Sequence, residues 1–333
     1  MRARALLLLG ALLAFLALLD ASAPRLLNPY YVTILSRIGI AVIAAVSLQL
    51  VNGFTGQFSI GHAGFMAIGA YSSAALSVYA GAGLLDSAAQ VVPLPLARFL
   101  YFPVALVFGG LSAAAAGIVV AVPALRLRGD YLAIATLGAG EIIRIAILNI
   151  DAVGGARGFS LASAAYPAID LRFEGLGGIV GVALLTIAAI ARLVYSGGGL
   201  AFRAVREDET AAESIGIATT RVKVEAFLVA SFFAGVAGAL FAHSEGYIHT
   251  NSFGFVRSFE LVAFVVLGGL GSLSGAILAA ATLTALPELL RGLGEWRMIL
   301  YSVLLIATML LRPQGLLGQR ELWPISLLVR GAK

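Results

Sequence analysis

The sequence predicts an all-α, polytopic helical membrane protein with a single transmembrane domain over residues 1–333, and two observations predict it. Hydrophobic residues make up 60% of the chain and charged residues 12%, where soluble domains carry about 25% charged. One soluble core cannot hide that excess. Stretches free of Asp, Glu, Lys and Arg also run over 38–85, 99–125, 175–191, 226–244 and 261–287, and about 20 apolar residues suffice to cross a bilayer. The absence of cysteine excludes a disulfide framework, a thiolate zinc site and a cysteine nucleophile. The net charge of +5 comes from basic residues scattered between apolar spans. They form no patch with interleaved aromatics, so the expected partner is the lipid bilayer and not nucleic acid.

The elements follow in chain order. Arg2 and Arg4 precede an apolar run from Ala5 to Leu19, and Ala21-Ser22-Ala23 would suit signal cleavage. With further spans following, the run reads as a retained signal-anchor helix over 5–20 that starts in the cytoplasm, cleavage being the alternative. Spans are expected near 30–51, 59–80, 100–122, 131–150, 175–195 and 225–247. One helix over 252–290 would leave the 312–333 tail, with Arg312, Arg320, Arg330 and Lys333, outside by parity, against the enrichment of cations in cytoplasmic loops. The segment should therefore break in two at Gly268-Gly269 and Gly271-Ser272-Leu273-Ser274-Gly275, since glycine costs about 1 kcal/mol in a helix and accepts unusual backbone angles. With 296–311, about ten spans result, both termini cytoplasmic.

A matching break is predicted at Asn52-Gly53-Phe54-Thr55-Gly56-Gln57-Phe58-Ser59-Ile60-Gly61-His62, inside a charge-free stretch too long for one span. Two glycine-rich broken hairpins result. Non-helical backbone at membrane depth survives only where protein buries it or where it lines a polar cavity, so such breaks suggest a transport pathway. Gly56-x-x-Ser59 and Gly271-x-x-Ser274 echo each other as a duplicated half would. Tight helix-packing turns are the alternative. On the pathway reading Gln49, Asn52, Gln57, Ser59 and His62 supply polar contacts at the first break, and Ser272 and Ser274 do so at the second. Phe54, Phe58 and Phe65 would accommodate an apolar side chain.

From Ser196 to Val224 the chain turns polar, on the side that span parity makes cytoplasmic. Ala201 to Ser214 has the composition of a surface helix, and Gly216 is placed to end it in a left-handed cap. The segment is either a solvated loop or a docking helix whose contacts would come from Arg203, Arg206, Glu207, Asp208, Glu209, Ala211, Ala212 and Gly216. A Walker A loop is missing, since the only lysines are Lys223 and Lys333. Glu141 and Arg144, three apart, are expected to pair on one helix face. Glu260 lies near an outer helix end. His62, His243 and His249 lack metal-ligand spacing, and no Ser-His-Asp arrangement is visible. No catalytic site, metal or cofactor is expected.

The strings NGFTGQFSIGHAGFMAIGAY (52–71), RLRGDYLAIATLGAGEIIRI (126–145), AFRAVREDETAAESIGI (201–217), VLGGLGSLSGAIL (266–278) and RPQGLLG (312–318) together resemble the LivM-type permease of branched-chain amino acid ABC importers. The resemblance covers most of the chain in the family's order. It implies a permease subunit of the plasma membrane, the inner membrane in a Gram-negative source. Its partners would be a second homologous permease, two cytoplasmic ABC ATPases and an extracytoplasmic binding protein, and its cargo leucine, isoleucine or valine. Segment 196–224 would be the ATPase coupling loop, with Ala211-Ala212 and Gly216 at matching positions. It departs in carrying Thr210 where the importer pattern has Glu, with Glu209 one place earlier, and in lacking an Ile-x-Leu-Pro ending. Val153 to Gly158 resembles an outward glycine-rich family motif, with Val153 in place of the usual Thr. Similar permeases carry amides, urea or aromatic acids. A proton-coupled carrier and an intramembrane enzyme are the competing classes.

Overall fold

A computed structural model describes residues 14–20, 22, 26–90, 93–124, 127, 129–162, 170–173 and 175–322. The expected first span falls largely outside the described residues, although 14–20 are helical, and the tail is described as far as Leu322. The described residues are mostly helical, with helices α1 (Pro29–Gln49), α2 (His62–Leu76), α3 (Ala82–Ala89), α4 (Leu94–Ala124), α5 (Asp130–Leu148), α6 (Leu176–Val194), α7 (Gly199–Glu207), α8 (Glu209–Ser214), α9 (Thr219–Glu245), α10 (Phe255–Gly268), α11 (Leu273–Leu289) and α12 (Trp296–Leu311). Eight described helical stretches are long and apolar enough to cross a membrane, and α12 is a shorter apolar helix. The predicted split of 252–290 is present: α10 ends at Gly268 and α11 begins at Leu273, its first turn capped by Ser272 Oγ accepting from Gly275 N at 3.0 Å.

Helix α1 is the axis. Every residue from Ile40 to Thr55 is buried, as suits a helix that is apolar all round. It packs against α6, α9, α10 and α11. Asn28 caps its start by accepting from Tyr30 N at 3.0 Å, and its last turn loosens into a π-turn over Leu50–Phe54. A second close-packed layer joins α2, α4 and α9 through small residues. A Cβ at Gly238 would stand 1.9 Å from Met66 O, and one at Gly69 would stand 2.1 Å from Gly235 O. Membrane helices associate through such contacts, because lipid gives their apolar faces no reason to leave it.

The two buried histidines are absorbed into this packing, each against a serine. His243 Nδ1 lies 2.8 Å from Ala239 O and therefore donates, which leaves Nε2 to accept from the Ser77 hydroxyl at 2.9 Å. Ser47 Oγ donates to Ala44 O at 2.8 Å and meets His62 Nε2 at 2.8 Å. Glu141 and Arg144 pair as expected at 2.7 Å. The other carboxylate oxygen accepts from Phe255 N at 2.9 Å, so the pair also ties α5 to the start of α10.

Candidate functional site

The two backbone breaks meet at one end of the bundle. Gln49 Nε2 donates to Gly269 O at 2.8 Å and to Ser272 O at 3.2 Å. Asn52 and Ser59 exchange two hydrogen bonds of 3.1 Å, which close residues 55–61 into a loop before α2. A Cβ at Gly53 would lie 2.7 Å from Gly271 N, so the two backbones touch. Gly56 has φ +69° and Gly271 φ +93°, in the region that side chains disfavour. The contact between the breaks runs through Gly53 and Gln49, while Gly56 and Ser59 of the repeated spacing face Arg206 and Asn52.

The loop helices dock on this junction. Phe202 and Val205 bury one face of α7, while Leu200 is 63% exposed on the other. Arg206 points inward: its Nη1 donates to Gly53 O at 2.8 Å. A Cβ at Gly56 would lie 3.0 Å from Arg206 Cγ, and one at Gly271 would lie 2.6 Å from Nη1. One side chain therefore wedges against both breaks.

The helix expected over 201–214 is instead two helices with Asp208 between them. Asp208 is extended, and its Oδ1 accepts from Thr210 N and Ala211 N at 2.8 and 3.0 Å. A short carboxylate that can cap a new helix competes with continuing the old one. Glu209 pairs with Lys223, and Glu213 accepts the Thr219 hydroxyl at 2.6 Å. Ala212 is buried. Of the expected coupling residues, Glu207 and Ala211 face solvent and Arg203 stacks 5.2 Å from the Tyr195 ring centroid. Gly216 takes the predicted left-handed cap with φ +88° and open space around it.

The remaining pathway candidates scatter. Ser274 Oγ donates to Glu321 Oε2 at 2.5 Å, and Ser272 Oγ donates to Arg320 O at 2.7 Å, so the tail after α12 covers the second break. Phe54 meets Tyr195 edge-on and Phe65 meets Phe227 edge-on, both inside the bundle. Phe58 is exposed. Gln57 is buried, and its amide finds no partner among the described residues.

The far end of the bundle holds a cavity of about 450 Å³ between α1, α9, α10 and α11. Two guanidinium groups and three carboxylates line it: Arg37, Arg257, Glu245, Glu260 and Glu288. Arg37 Nε donates to Glu245 Oε1 at 2.8 Å and its Nη2 to Oε2 at 3.2 Å. Arg257 Nη1 donates to Glu260 Oε2 at 2.6 Å, and the Tyr30 hydroxyl donates to Glu288. Sequence reasoning noted only Glu260 here, as a residue at a helix end. The available signal was charge at the far ends of four spans that prove to be neighbours.

A family model described as branched-chain amino acid transport system, permease component, matches residues 30–311, which include both breaks, the α7–α8 loop and the cavity. The chain belongs to this family. Relatives of this permease-family chain include the high-affinity branched-chain amino acid transport system permease protein LivM of Salmonella typhimurium, 39% identical over 240 residues, which are 64% of this chain and 56% of that protein. LivM of Escherichia coli is 39% identical over 239 residues, again 64% and 56% of the two chains. LivH of Salmonella typhimurium, from the same kind of system, is 33% identical over 142 residues, 42% of this chain and 45% of that one. The match thus spans little more than half the length of the LivM relatives. Similarity to both LivM and LivH places the chain within a family whose members include two distinct permease proteins.

Proposed function

We propose that this chain is a membrane-spanning permease subunit of an ABC importer that moves a branched-chain amino acid inward, and that it has no ATPase site of its own. It works beside a second, homologous permease, two cytoplasmic ATPases and an extracytoplasmic binding protein. The junction end is cytoplasmic, and the cavity end faces the binding protein. The observation that carries the reading is Arg206. A polar helix pair outside the apolar spans holds, through this one side chain, the backbone of both breaks, so force applied to α7 and α8 reaches the points where α1 and α10 end. Rigid-body movement of short elements at an interface is how small displacements become large ones. The solvent-facing edge carrying Leu200, Glu207, Ala211 and Ile215 is the surface offered to the ATPases.

The test is reconstitution. The complex copurified with this chain, sealed in vesicles with binding protein and ATP, should accumulate labelled leucine, and nucleotide photocrosslinking should mark the ATPases and not this chain. Accumulation driven by a proton gradient without ATP, or crosslinking to this chain, sinks the reading.

A further inference from the structure

The cavity at the far end is not a by-product of packing, as its donors and acceptors make clear. A guanidinium carries five N–H groups. Arg37 gives two of them to Glu245, and Arg257 gives one to Glu260. Both arginines therefore keep donors for another acceptor, and the Arg37 side chain is 48% exposed. On the acid side, Glu288 accepts from Tyr30 but forms no ion pair among the described residues. Thr284 Oγ1, also in the lining, is buried and finds no partner there. Five apolar residues, Ile34, Ile40, Phe241, Leu283 and Pro287, complete the wall with Tyr247 and Ser252. At about 450 Å³ the space is within the range of small-molecule sites, roughly 300–1,000 Å³.

Surplus guanidinium donors, one carboxylate with no cation in direct contact though Arg37 and Arg291 act on it from farther off, and an apolar wall together describe a small zwitterion with an apolar side chain. We propose that this cavity is a recognition vestibule for a free α-amino acid, its carboxylate held by the unused N–H groups of Arg37 and Arg257, its ammonium by Glu288, and its side chain against the partly accessible Ile34 and Phe241. The proposal rests on the importer reading for its direction of traffic. It gives the cargo a contact site within this chain, ahead of the closed junction. Arg37 and Gln49 lie on the same helix, twelve positions and about 18 Å apart along its axis. Bound cargo would thus wait above the break that α7 controls.

The absence of native cysteine makes the test direct. Ser252→Cys, at an exposed position of the lining, in the copurified complex in phosphatidylcholine vesicles, should react with a small water-soluble maleimide, and L-leucine should slow the reaction. Simple occupancy gives about tenfold slowing at a concentration about ten times the Kd. 4-Methylpentanoate and isopentylamine, each lacking one charge, should barely slow it. The exchange Arg37→Glu with Glu245→Arg keeps an ion pair but moves the cation, so it should abolish the protection while assembly, followed by size exclusion, is retained. Leucine-insensitive labelling, equal protection by 4-methylpentanoate, or protection that survives the exchange would each overturn the proposal and leave purely structural ion pairs. So would slowing produced by added phosphatidylethanolamine and not by leucine, which would mark a lipid headgroup site. ATP-driven leucine uptake in the same vesicles reports separately on the importer reading.

Discussion

The two ends of the α1–α10–α11 group are built in opposite ways. At the junction end the helices converge until Gly53 touches Gly271, and backbone carbonyls are taken up by Gln49 and Arg206. At the other end a cavity opens between these helices and α9, lined by charged side chains that pair across α1 and α9 and along α10. The difference lies in side-chain size. Glycine allows backbones to meet and, where φ is positive, lets the chain turn at once. Arginine and glutamate hold backbones apart while satisfying each other, which charges within an apolar bundle require. The tight end is where α7 docks, with Arg206 lying against both breaks.

The comparison can be broken most completely by removing its frame. Gly238→Leu places side-chain atoms into Met66 O, 1.9 Å from the Cβ position, with backbone on the other side and no flexible neighbour to move. Overpacking of this kind costs about 1–3 kcal/mol or more, and folded complex should fall sharply in yield, read by size exclusion and thermal unfolding.

Next comes the tight end. Gly271→Ala forces a side chain into φ +93° and 2.6 Å from Arg206 Nη1. A left-handed conformation alone costs a non-glycine residue about 1–2 kcal/mol. The bundle should assemble, and ATP-driven uptake should drop by roughly tenfold or more. Unchanged uptake would show that the junction need not be tight.

A sharper variant is Arg206→Ala, which removes a charged hydrogen bond worth about 1.5–3 kcal/mol while leaving the sequence of both breaks unchanged. Hydrolysis should continue while uptake per ATP falls, and Arg206→Lys should rescue poorly, because a point ammonium cannot reproduce the planar fork. If both variants stay coupled, force does not travel through this side chain.

The smallest effect belongs to Arg221→Ala. Its pair with Glu225 is an exposed i,i+4 bridge, with side chains 81% and 53% exposed, and such bridges contribute under about 0.5 kcal/mol. Uptake and thermal stability should both match the parent, which sets the baseline for the other three.

The charge-free apolar stretches and charge spacing determined most of the span boundaries, because crossing a bilayer is a local demand that each segment meets by itself. Parity of charge required a break in 252–290, and α10 does end at Gly268. The Glu141–Arg144 pair and the left-handed Gly216 were legible for the same reason, since each needs only neighbours within one turn. What the chain could not disclose alone is which distant groups meet. That Gln49 reaches Gly269, 220 residues on, that Arg206 turns inward and not toward solvent, and that Arg37, Glu245, Arg257 and Glu288 share one cavity follow from the rotation of each helix about its axis. Rotation is set by which small residues let which backbones approach, Gly53 on Gly271 and Gly238 on Met66. Those are pairwise fits that no single segment contains.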